Sequence, residues 1–189
     1  MARPAMKVPI PPIFWDDFEG CDLAKWAKTW SPTCSTDQNH TVGGAYSCKI
    51  LGTTDYAYLV KTFTPQLSGY VVTFWLYDDA TQTGAKRVCI VAVDDGVTMC
   101  LMGVDTYFST TKYIYRVGAT YYVSSIARTT GWHVIKFYFL DGLTVQGTFD
   151  GTQLFSATEP DTFNTITIGN AWVDKTGIDY VDDVDVRLP

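Results

Sequence analysis

Two short acidic stretches hold the residues best suited to chemistry. Phe14-Trp15-Asp16-Asp17-Phe18-Glu19-Gly20 lies near the start and Asp179-Tyr180-Val181-Asp182-Asp183-Val184-Asp185-Val186 near the end. Each is an aromatic or β-branched run carrying several carboxylates. Carboxylates gathered in one place repel one another unless a cation joins them. A hard divalent cation takes about six to eight oxygens, mixing carboxylates with backbone carbonyls. Paired as neighbouring strands that close a β-sandwich, the two stretches would supply such a set. Their acids are therefore the candidates for a metal site. The plainer alternative is that they cap strand ends at the solvent.

Catalytic constellations are sparse. A glycoside hydrolase needs paired carboxylates across a cleft, and only Glu19 and Glu159 among the twenty acids are glutamates. There is no Gly-x-Ser-x-Gly elbow, no phosphate-binding glycine loop and no C-x-x-C. A lyase site would draw on His133, Tyr138 and Arg128, but His133 lies in a strand beside Trp132 and reads as structural. The expectation is that the chain is not an enzyme. Sugar recognition needs flat exposed rings with polar groups beside them, and the chain has 12 Tyr, 10 Phe and 6 Trp. Most must be core. Tyr113 and Tyr115 alternate with Lys112, Ile114 and Arg116, and Trp172 stands near Asn170 in a loop-like stretch. These three are the expected carbohydrate-binding residues.

The elements that must position these groups read as strands. Aromatic residues make up 15% of the 189 and charged residues only 18%, a balance that suits strands better than helices. A chain of this length fits one domain with a real core. The net charge of −6 argues against nucleic acid, which needs a basic face. The longest apolar runs are about seven residues, whereas a membrane span needs about 20. Residues 1–13 hold four prolines and read as an extended arm, able to lie on this domain or dock on other protein subunits. No signal peptide is seen in them.

From residue 14 to 189 the chain reads as a single domain of roughly twelve to fourteen short strands. Tyr70–Tyr77 is the strongest of them, apolar on both faces. Asp94-Asp95-Gly96, Asp141-Gly142 and Asp150-Gly151 mark hairpins. The expected fold is an all-β, antiparallel, two-sheet jelly roll with little or no helix. Five cysteines cannot all pair. Cys89 and Cys100 flank a turn, so a cross-strand bond is open to them, but free buried thiols are the preferred reading.

A family likeness runs through the order of several pieces. The acidic opening is followed by Trp26, then Gly43-Gly44-Ala45-Tyr46-Ser47-Cys48-Lys49-Ile50. Later come Arg128-Thr129-Thr130-Gly131-Trp132-His133, Phe149-Asp150-Gly151 and Tyr180-Val181-Asp182-Asp183-Val184. The order resembles concanavalin A-like and laminin G-like sandwiches, and the first, second and last pieces are similar to β-sandwich carbohydrate-binding modules. The resemblance implies one structural calcium, held by Asp17 and Glu19, by backbone near Gly44 and Ser47, and by Asp182 and Asp183. It also implies a lectin-like domain that binds polysaccharide or glycan without catalysis. The competing expectation is a decoration, cement or attachment protein on a virion surface, its arm docked on a neighbour. An extracellular module whose signal was removed, or a polysaccharide lyase or hydrolase, are the remaining readings.

Overall fold

The computed structural model describes residues 11–29, 32–52, 56–84, 87–140, 142–170 and 177–189. Fifteen strands occur among them. In chain order they are β1 (Phe14–Asp16), β2 (Ala27–Thr29), β3 (Thr33–Ser35), β4 (Ser47–Gly52), β5 (Ala57–Leu67), β6 (Val71–Asp78), β7 (Val88–Asp94) and β8 (Met99–Asp105). Then follow β9 (Lys112–Val117), β10 (Thr120–Ala127), β11 (Gly131–Tyr138), β12 (Val145–Phe149), β13 (Thr152–Ala157), β14 (Phe163–Asn170) and β15 (Gly177–Arg187). No helix occurs among the described residues.

The strands form two antiparallel sheets. Sheet A runs β13-β12-β11-β6-β15-β4-β3, with β1 also paired to β15; sheet B runs β10-β9-β8-β7-β14-β5-β2. Their facing sides share one core, so the fold is the all-β jelly-roll sandwich expected. The acidic ends do meet as neighbouring strands: Phe14 faces Val186, Trp15 faces Asp185 and Asp16 faces Val184. Of the arm, only residues 11–13 lie within the described range.

Alternation builds the core. In β6, Val72, Phe74 and Leu76 point inward, and Ile135 and Phe137 of β11 lie beside them. Val91 and Val93 of β7 and Ile166 and Ile168 of β14 meet them from sheet B. Burying each such side chain contributes about 1.5–3 kcal/mol. The strand read as apolar on both faces is central, as expected, but only one of its faces is core.

The cysteines follow the preferred expectation in part. Cys89 and Cys100 both point into the core, yet Cys89 faces Val104 while Cys100 faces Val93. They are displaced from each other along the hairpin, so both are buried free thiols, as is Cys48. The one bond present, Cys21–Cys34, was not expected; it joins the turn after β1 to β3.

One end of the core holds charges. Asp78, at the end of β6, is fully buried and takes Arg87 Nη1 at 2.6 Å. It also takes Arg128 through two bonds, Nε at 2.9 Å and Nη2 at 2.8 Å. Arg87 in turn bonds Asp179 of β15. Burial pushes the Asp78 carboxyl up, but the two guanidinium groups outweigh it and hold the group ionised below the usual carboxylate range.

Candidate functional site

Every second residue of a strand points to the same side of its sheet. The outer side of an antiparallel sheet exposed to water usually carries polar residues. Sheet A departs from this. Outward positions on β6 are Thr73, Trp75 and Tyr77; on β11, Trp132, Val134, Lys136 and Tyr138; on β15, Tyr180, Asp182 and Asp185. The register stacks them in rows. Trp132, Tyr77 and Tyr180 form one row; Val134, Trp75 and Asp182 the next; Lys136, Thr73 and Asp185 the third. Trp132 and Tyr180 meet Tyr77 edge to face, with ring centroids 5.5 and 5.9 Å away. Trp75, Tyr77, Trp132 and Tyr138 are half-buried, so each keeps part of its ring open to solvent.

The loop before β4 lies over one side of this face. The His40 ring stacks on Trp75, with centroids 3.7 Å apart, and meets Trp132 edge-on at 5.6 Å. A bulge in β15 between Asp182 and Asp185, with Asp183 at φ 44°, turns two successive acids toward this loop. Asp182 accepts the backbone N–H of His40 at 2.9 Å, of Thr41 at 3.2 Å and of Asp183 at 2.8 Å. Burial still pushes its carboxyl up to about 6. Asp183 bonds His40 Nδ1 at 2.7 Å and accepts the Thr41 hydroxyl at 3.0 Å.

The acids expected to share a metal divide between two parts of this loop. Glu19 accepts the N–H groups of Ala45 at 2.7 Å and Tyr46 at 3.0 Å, and the Asn39 amide at 3.1 Å. Its carboxylate fills the space where a Cβ at Gly44 would stand. Burial raises its carboxyl, and the N–H donors outweigh that and lower it. Asp17 turns back on the Glu19 N–H. The Ser47 hydroxyl donates to the Gln38 carbonyl. Asp182 and Asp183 grip residues 40–41 as described. Among the described residues no three His, Cys, Asp or Glu side chains converge in a metal-binding group.

Two of the expected sugar-binding rings, Tyr113 and Tyr115, lie on sheet B. Tyr113 on β9 points into the core and is fully buried; its hydroxyl lies 2.8 Å from His133 Nε2 and donates to the Thr129 carbonyl. It cannot meet a sugar, which corrects that expectation. Period two placed Tyr113 and Tyr115 on one side of their strand, but the sequence did not tell which side faced in. Tyr115 is half-buried and stacked against Tyr122 and Phe155. Trp172 lies outside the described residues. His133 is structural, held between Asp150 and Tyr113, and Arg128 belongs to the buried ion cluster. The outer side of sheet B is not a matching platform: Val88, Ile90, Ala92, Leu101 and Ile114 there form a second buried aliphatic cluster.

No family model matches the chain, and no curated protein matches it. Solved structures do. A cellulose-induced protein, Cip1, superimposes with a TM-score of 0.69 at 13% identity, over 93% of this chain and 97% of its own. A carbohydrate esterase from the Shiga toxin-encoding bacteriophage phi24B gives 0.69 at 9% identity, over 95% and 99%. An endo-β-1,4-glucuronan lyase from the fungus Trichoderma reesei gives 0.55 at 14% identity, over 94% and 96%. At these identities the likeness establishes the fold, a jelly-roll sandwich shared with carbohydrate-active proteins. It also corrects the expectation against an enzyme. That expectation rested on missing motifs, while an esterase and a lyase are built on this same sandwich over nearly their whole lengths.

Proposed function

We propose that this is a carbohydrate-active protein whose polysaccharide lies across the outer face of sheet A. One observation carries the reading: outward positions of three adjacent strands hold Trp75, Tyr77, Trp132, Tyr138 and Tyr180 where water-facing polar residues are the rule. Rings with a polar tip on a rigid sheet stack on sugar faces at little entropic cost. The carbohydrate-related neighbours support the same class of ligand. The test is affinity electrophoresis against a panel of neutral and acidic polysaccharides, read in parallel for new reducing ends. Saturable binding to at least one polymer is expected, and it should be unchanged in Tyr122→Ala, which removes an exposed ring of sheet B. No retardation by any polymer would overturn the reading; new reducing ends would identify turnover.

Calcium remains part of the proposal, on one feature. Asn39 Oδ1 is buried without a hydrogen-bond donor, beside the Glu19 carboxylate. A hard, oxygen-seeking cation would satisfy that atom. Glu19 and Asn39 would hold it, and its chemistry would be to tie the loop before β4 to the opening strand. A ligand at 100 times its Kd stabilises by about 2.7 kcal/mol. Chelation should then lower the melting temperature by roughly 5–10 °C. Calorimetry with and without chelator checks this, and an unchanged transition removes the ion.

A further inference from the structure

The third row of the outer face differs from the two beside it. Thr73 of β6, Lys136 of β11 and Thr148 of β12 face one another in register across three adjacent strands. All three are half-buried. None of the three side chains has a hydrogen bond or ion pair with any described residue. The other cations of this face are already paired: Lys49 with Asp37 at 2.7 Å, and Arg187 with Asp185. Asp185 closes the row on its β15 side, facing Thr73; its Oδ2 is held by Arg187, and its buried Oδ1 has no hydrogen-bond partner among the described residues. In a chain of net charge −6, an ammonium without an ion-pair partner among the described residues stands between two hydroxyls that make no side-chain hydrogen bond.

Position gives these donors a use. Along β11 the outward residues run Trp132, Val134, Lys136, Tyr138. Same-face neighbours on a strand are about 6.8 Å apart, and adjacent strands about 4.8 Å. Lys136 therefore stands one step from Tyr138 and diagonally adjacent to Trp75, inside the aromatic field rather than at its rim. A sugar ring resting on this field turns its edge substituents to the third row. An ammonium with a hydroxyl on either side can meet two oxygens of one anionic group, and charge-assisted bonds of this kind are the stronger ones.

We infer that Thr73, Lys136 and Thr148 form an anion subsite that reads an acidic substituent, a uronate carboxylate or a sulfate ester, on the bound polysaccharide. The inference rests on the proposed glycan face and adds the charge class of its ligand. Specificity arises because an acidic sugar fills the row, whereas a neutral one leaves Lys136 partly desolvated and unpaired.

The experiment compares a polyuronate with the same polymer after carboxyl reduction, and with a sulfated neutral glycan, by affinity electrophoresis at low and high salt. Wild type should bind the polyuronate or the sulfated glycan about tenfold tighter than the reduced polymer, a preference that falls with salt. The better of the two names the anion. Lys136→Met keeps the stem and should lose the preference while still binding the reduced polymer; Lys112→Met, on sheet B, should keep it. Thr73→Val should weaken the preference with an unchanged melting temperature. Equal affinity of wild type for charged and reduced polymers, or a preference that survives Lys136→Met, overturns the subsite and leaves the glycan face standing. Absence of binding to all three polymers overturns the glycan face, and the subsite with it.

Discussion

Asp78→Ala is expected to cost about 3–5 kcal/mol of stability, the range for breaking one partner out of a buried ion cluster. Asp78 is the acceptor shared by two guanidinium groups, and it is fully buried. Without it, Arg128 keeps only carbonyl acceptors, those of Asp79, Gln82 and Thr110. Arg87 keeps Asp179, but its Nε already lacks a partner. Two positive charges would then share a dry pocket with one carboxylate. For a chain of this size the melting temperature should fall by roughly 10 °C. Asp78→Asn should lose most of the same stability, because it keeps the volume but not the charge. Chemical denaturation of both variants reads the effect. A loss below about 1 kcal/mol would mean that water reaches the cluster and screens it.

Trp132→Ala is expected to weaken polysaccharide binding by roughly 10–100-fold, the usual consequence of removing a large aromatic anchor. Trp132 is braced on two sides, edge to face with Tyr77 and with His40. A braced ring loses little freedom when a sugar docks on it. Stability should change less than binding, because the ring is half-buried and outside the core cluster. Titration with whichever polymer binds wild type checks the prediction. Unchanged affinity in Trp132→Ala and Trp75→Ala together would move the ligand off this face.

Much of the fold was legible because its signals are local. Asp-Gly turns and period-two alternation mark most strands, and the acidic ends look made to pair and do. The site was harder to read. On β6 and β11 the outward ring-bearing residues are Trp or Tyr, while the inward ones include Phe74 and Phe137. That segregation by parity was present in the sequence, but it needed the sheet order to show that both strands share one open face. Tyr113 defeats the same rule: it is a tyrosine turned inward, with its hydroxyl satisfied by Thr129 and His133. His40 gave no signal at all. Its place over Trp75 depends on acids more than 140 positions away in the chain, and no local pattern encodes that separation. The Cys21–Cys34 bond was likewise hidden in a stretch whose composition reads only as loop.

The position of β15 bears on how the molecule is made. It is the last strand of this chain, yet it sits inside sheet A between β6 and β4. During synthesis, sheet A has a gap at its centre until residues 177–187 emerge. β6 waits with one edge unpaired, and Asp78 and Arg87 wait without Asp179. Sheet B has no such debt to β15, because its strands end at β14. Such long-range closure is intrinsically slow. The last strand of sheet B therefore precedes in the chain the strand that joins β6 to β4 and adds Tyr180 to the aromatic face.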